Sequence, residues 1–161
     1  MQANFNKDGK SGAGTSQSTS LLRVLLVDDS KEDNFIHRRQ LKRAFPDCEV
    51  VVVTDGQQAI DLLLERADAD LPAFELICLD VNMPVLDAWG FLEQYPHLPL
   101  EAHADLIALM ISTALPAEAR QIAEHSPFVS FFVSKPFTGA VLSDEVLRCR
   151  QDSPRKLKDL N

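Results

Sequence analysis

Three aspartates, a pair of hydroxyls and a lysine fall directly behind short apolar runs. Asp28-Asp29 follows Leu22–Val27, Asp80 follows Leu76–Leu79, Ser112-Thr113 follows Leu106–Ile111, and Lys135-Pro136 lies just past Val129–Val133. A fifth run, Val50–Thr54, ends in a Thr54-Asp55-Gly56 turn with no obvious chemistry. If the run ends converge, three carboxylates, a hydroxyl and one ammonium share a small volume. Carboxylates packed that closely repel, and without compensation protonation becomes favourable. One lysine offsets only one of them. An oxygen-rich negative site without His or Cys suits a hard divalent cation that keeps some of its water, such as magnesium or manganese. The cation in turn attracts a phosphoryl group, whose remaining oxygens Lys135 and a hydroxyl could hold. An aspartate so placed is a nucleophile towards phosphorus and would form an acyl phosphate.

The elements that would bring these residues together are legible in the pattern. The five runs are near-continuously apolar rather than alternating, which predicts strands covered on both faces. Helix candidates lie between them. Asp33–Phe45 carries Leu41, Ala44 and Phe45. Gln57–Ala67 carries Ala59, Ile60, Leu63 and Leu64, and Asp87–Tyr95 carries Phe91, Leu92 and Tyr95. Pro116–His125 opens on a proline suited to a first turn, with Ala119, Ile122 and Ala123 on one side. Thr138–Arg150 carries Leu142, Val146 and Cys149. Strand then helix, five times over, implies an α/β fold: a parallel sheet with right-handed crossovers and helices on both faces. Ligands of such sheets bind beyond the carboxyl ends of the strands, where the acids and the lysine fall.

Composition sets the outer bounds. The chain has 161 residues, with 16 Lys plus Arg against 24 Asp plus Glu and a net charge of −8. That balance argues against nucleic acid and against an anionic membrane surface as partners. No apolar run approaches the roughly 20 residues needed to span a bilayer, and no secretory signal is evident. Cys48, Cys78 and Cys149 lie in or beside apolar runs and read as small hydrophobes of a reducing, cytoplasmic protein. Residues 1–20, rich in Gly, Ser, Thr, Asn and Gln, predict a flexible tail; residues 21–150 form the folded domain and 151–161 a short polar tail.

The motifs resemble those of a known family. Leu25-Leu26-Val27-Asp28-Asp29-Ser30 is similar to the acidic-pair motif of response-regulator receiver domains. Leu79-Asp80-Val81-Asn82-Met83-Pro84 resembles their phosphoacceptor loop, and Phe132-Val133-Ser134-Lys135-Pro136-Phe137 their last-strand lysine motif. Each is weak alone; together, in order and at successive strand ends, they are specific. The resemblance, to the single-domain, chemotaxis-regulator-like type of two-component systems, implies a flavodoxin-like (βα)5 fold with five helices around a five-stranded sheet of order 2-1-3-4-5. It also implies a magnesium-dependent switch that is phosphorylated on Asp80 by a histidine kinase or histidine phosphotransfer protein and acts on an unnamed downstream protein. Asp29, Asp80 and the Asn82 carbonyl would bind the metal, with Asp28 reaching it through water. Lys135 would pair with the phosphoryl oxygens, Ser112 would be the switch hydroxyl and Phe132 the switch aromatic. A cis Lys135–Pro136 peptide is implied as well.

The sequence departs from the family pattern in three places. Ser112 stands where threonine is commoner, with Thr113 beside it as the competing assignment. Ala88 replaces a usual glycine. Ala114 offers no polar group two past the switch hydroxyl, although Asn82, two past Asp80, does; slow to unremarkable self-hydrolysis is expected, not enzymatic turnover.

Taken singly, the motifs have plainer readings. Asp28-Asp29 is a helix cap, Asp80 a turn residue, and Phe128, Phe131 and Phe132 packing. His37, His97, His103 and His125 lack ligand spacing. Arg38-Arg39 and Lys42-Arg43 form a basic face on the first helix, either solvated or docking an acidic partner. Competing functions are an aspartate-nucleophile phosphohydrolase, disfavoured because Asn82 replaces the second acid, and a nucleotide or flavin binder, disfavoured by two negative charges in the first loop. A third is a receiver-like interaction module working without phosphorylation.

Overall fold

The structure, a computed structural model, describes residues 21–112 and 115–152. Among them, strands β1 (Arg23–Val27), β2 (Glu49–Val53), β3 (Leu76–Asp80), β4 (Leu106–Ile111) and β5 (Phe131–Ser134) alternate with helices α1 (Lys31–Ala44), α2 (Gly56–Asp68), α3 (Ala88–Gln94), α4 (Ala117–His125) and α5 (Gly139–Asp152). The strands form one parallel sheet in the order β2-β1-β3-β4-β5, as expected. The two expected tails fall largely outside the described residues, but α5 runs two residues past Arg150.

Strand alternation divides the core. Leu25, Val27, Ile77, Leu79, Ile107 and Leu109 face α2, α3 and α4, where Ala59, Ile60, Leu63, Phe91 and Ala123 meet them. Val24, Leu26, Leu76, Cys78, Ala108 and Met110 face α1 and α5, against Leu41, Leu142 and Val146. The three central strands are therefore buried on both sides, which explains their unbroken apolar runs. β2 is only half-buried because it is an edge.

Helix rotation corrects several details. α1 turns Asn34, His37 and Leu41 inward, leaving Ala44 and Phe45 half-buried. Ile122 is 64% exposed. Ala123 takes the inward position on the short α4, so Ile122 lies off its buried stripe, beside Trp89 and Leu92. Pro116 occupies the N-cap rather than the first turn of α4. Cys48 and Cys78 are buried free thiols, while Cys149 is only half-buried.

Register sets the height of each strand end. Val27 pairs with Leu79, Leu79 with Leu109, and Leu109 with Phe132. Asp28 and Asp80 thus leave adjacent strands at one level. Lys135 lies beyond β5, where its N–H donates to the Ile111 carbonyl at 2.8 Å.

Gly56 fixes the neighbouring loop. Its N–H donates to the Leu86 carbonyl at 2.9 Å, and a Cβ there would lie 2.6 Å from that same oxygen. The loop after Asp80 is thereby seated on the start of α2.

Candidate functional site

Asp28 directly follows β1, and every polar atom it has is engaged. Its N–H donates to the Val53 carbonyl at 3.1 Å and its carbonyl accepts from Asn34 Nδ2 at 2.7 Å. Oδ1 accepts from the Ser30 N–H at 2.9 Å, and Oδ2 accepts from Lys135 Nζ at 2.9 Å. Ser30, not an aspartate, caps α1, its hydroxyl accepting from the Asp33 N–H at 3.2 Å. The plain helix-cap reading of Asp28-Asp29 therefore does not hold.

Asp29, next in the chain to buried Asp28, is exposed. Asp80, the last residue of β3, is 5% exposed. One carboxylate oxygen from each of Asp28, Asp29 and Asp80 lies within 4.8 Å of the others. Burial, followed by the nearby Asp28 charge, pushes the Asp80 carboxyl above the usual range, with Lys135 opposing.

Lys135 Nζ makes three ion pairs: 2.9 Å to Asp28 Oδ2, 3.0 Å to Asp33 Oδ2 and 3.2 Å to Asp80 Oδ1. Burial alone would lower its pKa, but the hydrogen bonds it donates to Asp28 and Asp33 and the charges around it outweigh that and raise it. The ammonium stays charged at any physiological pH. The Lys135–Pro136 peptide is cis.

Asn82 and Ser112 are exposed and line, with Val81, Trp89, Ile111 and Ala119, a cleft of about 170 Å³ beside the acids. Thr113, the competing hydroxyl, and Ala114 lie outside the described residues. Phe132 is half-buried and packs with the core on the α2–α4 side, paired with Leu109. It does not line that cleft. Asp87 caps α3, its Oδ1 accepting from the Gly90 N–H at 2.9 Å, and Ala88 is buried in the first turn where glycine was expected.

Two neighbours, Asp33 and Asn34, went unread in the sequence, and a third, His37, is a structural histidine, in keeping with its lack of ligand spacing. Asp33 is the third partner of Lys135; its signal is the Ser30-Lys31-Glu32-Asp33 spacing of a capping box, which marks the acid but not its partner. Asn34 ties α1 to the Asp28 carbonyl. His37, fully buried, stacks on Phe137 with ring centroids 4.3 Å apart, and neither ring nitrogen has a hydrogen-bond partner.

Chemically, three convergent carboxylates with one shared ammonium form a hard, all-oxygen donor set that fits a divalent cation of the magnesium type.

No family model matches the chain. It is 30% identical over 115 residues to the response regulator Rcp1 of Synechocystis sp., covering 70% of this chain and 75% of that protein. It is 32% identical over 96 residues to the two-component response regulator ARR14 of Arabidopsis thaliana, covering 60% of this chain but only 22% of that longer protein. Among solved structures, a two-component response regulator from Cytophaga hutchinsonii superposes with a TM-score of 0.70 at 27% identity, covering 81% of this chain and 98% of the other.

Proposed function

The chain belongs to the response-regulator receiver family of two-component systems, and from that membership we propose that Asp80 is its phosphoacceptor. The observation that carries this reading is the meeting of Lys135 with Asp80 and Asp28 at one sheet edge, with Asp29 alongside. An Asp80 oxygen attacks phosphorus in line with the leaving group. A P–O bond to the carboxylate forms as the bond from phosphorus to a phosphohistidine nitrogen breaks, and the departing imidazole takes up a proton. The phosphohistidine belongs to a histidine kinase or a histidine phosphotransfer protein.

Asp29, Asp80 and the Asn82 carbonyl would hold magnesium or manganese, with Asp28 reaching it through water. A bound dication supplies countercharge for the phosphoryl oxygens. The hydrogen bonds support this division of labour. Asp28 is committed to Ser30 and Lys135, whereas Asp29 is exposed. Lys135 donates to a phosphoryl oxygen after transfer.

Phosphorylation changes what the domain binds, through Ser112, which faces the cleft beside Asn82, and Phe132 on the adjoining strand. The downstream target is a protein. Exposed Arg38, Arg39, Lys42 and Arg43 on α1 suit an acidic partner helix. No described helix is long and apolar enough to cross a membrane, in keeping with a cytoplasmic site of action. The domain acts as a switch and not as a turnover enzyme.

Intact mass after incubation with acetyl phosphate and magnesium tests this. A single phosphoryl adduct that requires magnesium and is lost in Asp80→Asn is the expected result. No adduct in the wild type would refute the reading and leave an interaction module that works without phosphorylation.

A further inference from the structure

We infer that Asp33 is a positioning residue that competes with the phosphoryl group for Lys135, holding the ammonium in the resting state and releasing it on phosphorylation. The inference rests on Asp80 being the phosphoacceptor and adds a residue outside the acidic triad.

Lys135 Nζ donates hydrogen bonds to Asp28 and Asp33, and it meets Asp80 Oδ1 at 3.2 Å as an ion pair without one. Phosphorylation moves the Asp80 charge outward onto the phosphoryl oxygens, and an ammonium that follows it must lengthen one of its two hydrogen bonds, to Asp28 or to Asp33. The Asp28 side chain is 0% exposed, so losing its ammonium would leave a buried charge uncompensated, which is costly. The Asp33 side chain is 38% exposed, and water replaces the ammonium there with little loss. Exchange therefore falls on Asp33.

Asp33 is free to play this part because its usual local role is filled. At the third position of α1 an acid reaches back to the N-cap N–H, but Ser30 N–H already donates to Asp28 Oδ1 at 2.9 Å. The Asp33 carboxylate turns instead to Lys135, whose hydrogen bond holds it below the usual carboxylate range and therefore ionised. It thus also adds negative charge to the ground the incoming phosphoryl group must enter.

The test compares wild type, Asp33→Asn and Asp33→Glu at saturating magnesium, with beryllium trifluoride as the phosphoryl mimic and acetyl phosphate as the donor. Asp33→Asn is expected to bind the mimic about threefold more tightly, the scale of an exposed ion pair, and to form the acetyl phosphate adduct faster. Asp33→Glu, which restores the charge, is expected to return both towards wild type; a purely structural role would not track the charge in this way. Unchanged or weaker binding of the mimic in Asp33→Asn, with the wild type labelled normally, overturns the role of Asp33 and leaves Asp80 as phosphoacceptor. No labelling of the wild type overturns both.

Discussion

Lys135 Nζ donates to Asp28 Oδ2 at 2.9 Å although 107 residues separate them. The contact joins the first and last strands of the chain across one sheet edge, and both side chains are shielded from water. Without the ammonium, three carboxylates would face one another alone.

That arrangement predicts the behaviour of Lys135→Ala. Removing one partner of a buried ion pair costs on the order of 3 kcal/mol, so urea unfolding in chelator should show a large loss of stability. Magnesium, by supplying the missing charge, should restore much more stability to the variant than it adds to wild type. Equal increments from magnesium in the two proteins would contradict the account.

Asp80 carries a second, pH-dependent expectation. Its folded pKa lies above its ordinary value through burial and the Asp28 charge, so the native state holds this proton more tightly than the unfolded chain. The favourable contribution is complete below the ordinary carboxylate range and is lost as pH rises through the raised folded value. In metal-free protein, Asp80→Asn should thus be more stable than wild type at neutral pH, with the gap closing on acidification. Unfolding midpoints of both proteins from pH 7.5 downwards measure it.

His37 works in the opposite sense. Burial depresses its pKa, so the folded state resists the proton that the unfolded chain accepts. Its contribution is fully present above the ordinary histidine value near 6.5 and is lost as pH falls through that value towards the folded one. His37→Phe keeps the stack on Phe137 and removes two unpaired nitrogens. It should be at least as stable as wild type at pH 7.5 and lose less stability between pH 7 and 5.5.

Gly56→Ala should loosen the loop after Asp80. The added methyl would sit 2.6 Å from the Leu86 carbonyl oxygen, and backbone cannot yield as a flexible side chain would. Overpacking of this kind costs about 1–3 kcal/mol. Chemical denaturation reads that loss, and a weaker magnesium affinity is expected with it, because the loop carries Asn82.

Val85 sits in the same loop at φ 68°, 83% exposed, with Leu86 N–H donating to the Pro84 carbonyl at 2.8 Å. A β-branched residue is strained there, by about 1–3 kcal/mol, against which glycine loses up to about 1 kcal/mol through the unfolded chain. Val85→Gly should therefore stabilise by about 1 kcal/mol in thermal unfolding. A loss of stability would show that the strain has been relieved by other means.

The strand-end residues were legible from the sequence because the signal is local. A run such as Leu76–Leu79 is apolar throughout because both of its faces are buried, and in a parallel sheet whatever follows each run emerges at the same edge. Asp28, Asp29, Asp80 and Lys135 could therefore be placed together before any distance was known. The sheet, its order and the alternation of helices follow from the same pattern and from family resemblance.

What tertiary structure alone decided is how each helix turns about its axis and which distant groups then meet. Asn34 and His37 are polar residues on α1, yet both are buried, one bonded to the Asp28 carbonyl and the other stacked on Phe137, while Ile122 on the short α4 is left in water. Asp33 is one more acid in a first turn until Asp28 takes the Ser30 N–H and α1 aims its carboxylate at a lysine 102 residues away. Residue type and spacing determine what chemistry a strand end can offer. The partners of a helical side chain depend on a rotation that only the packed neighbours set, and no local period encodes it.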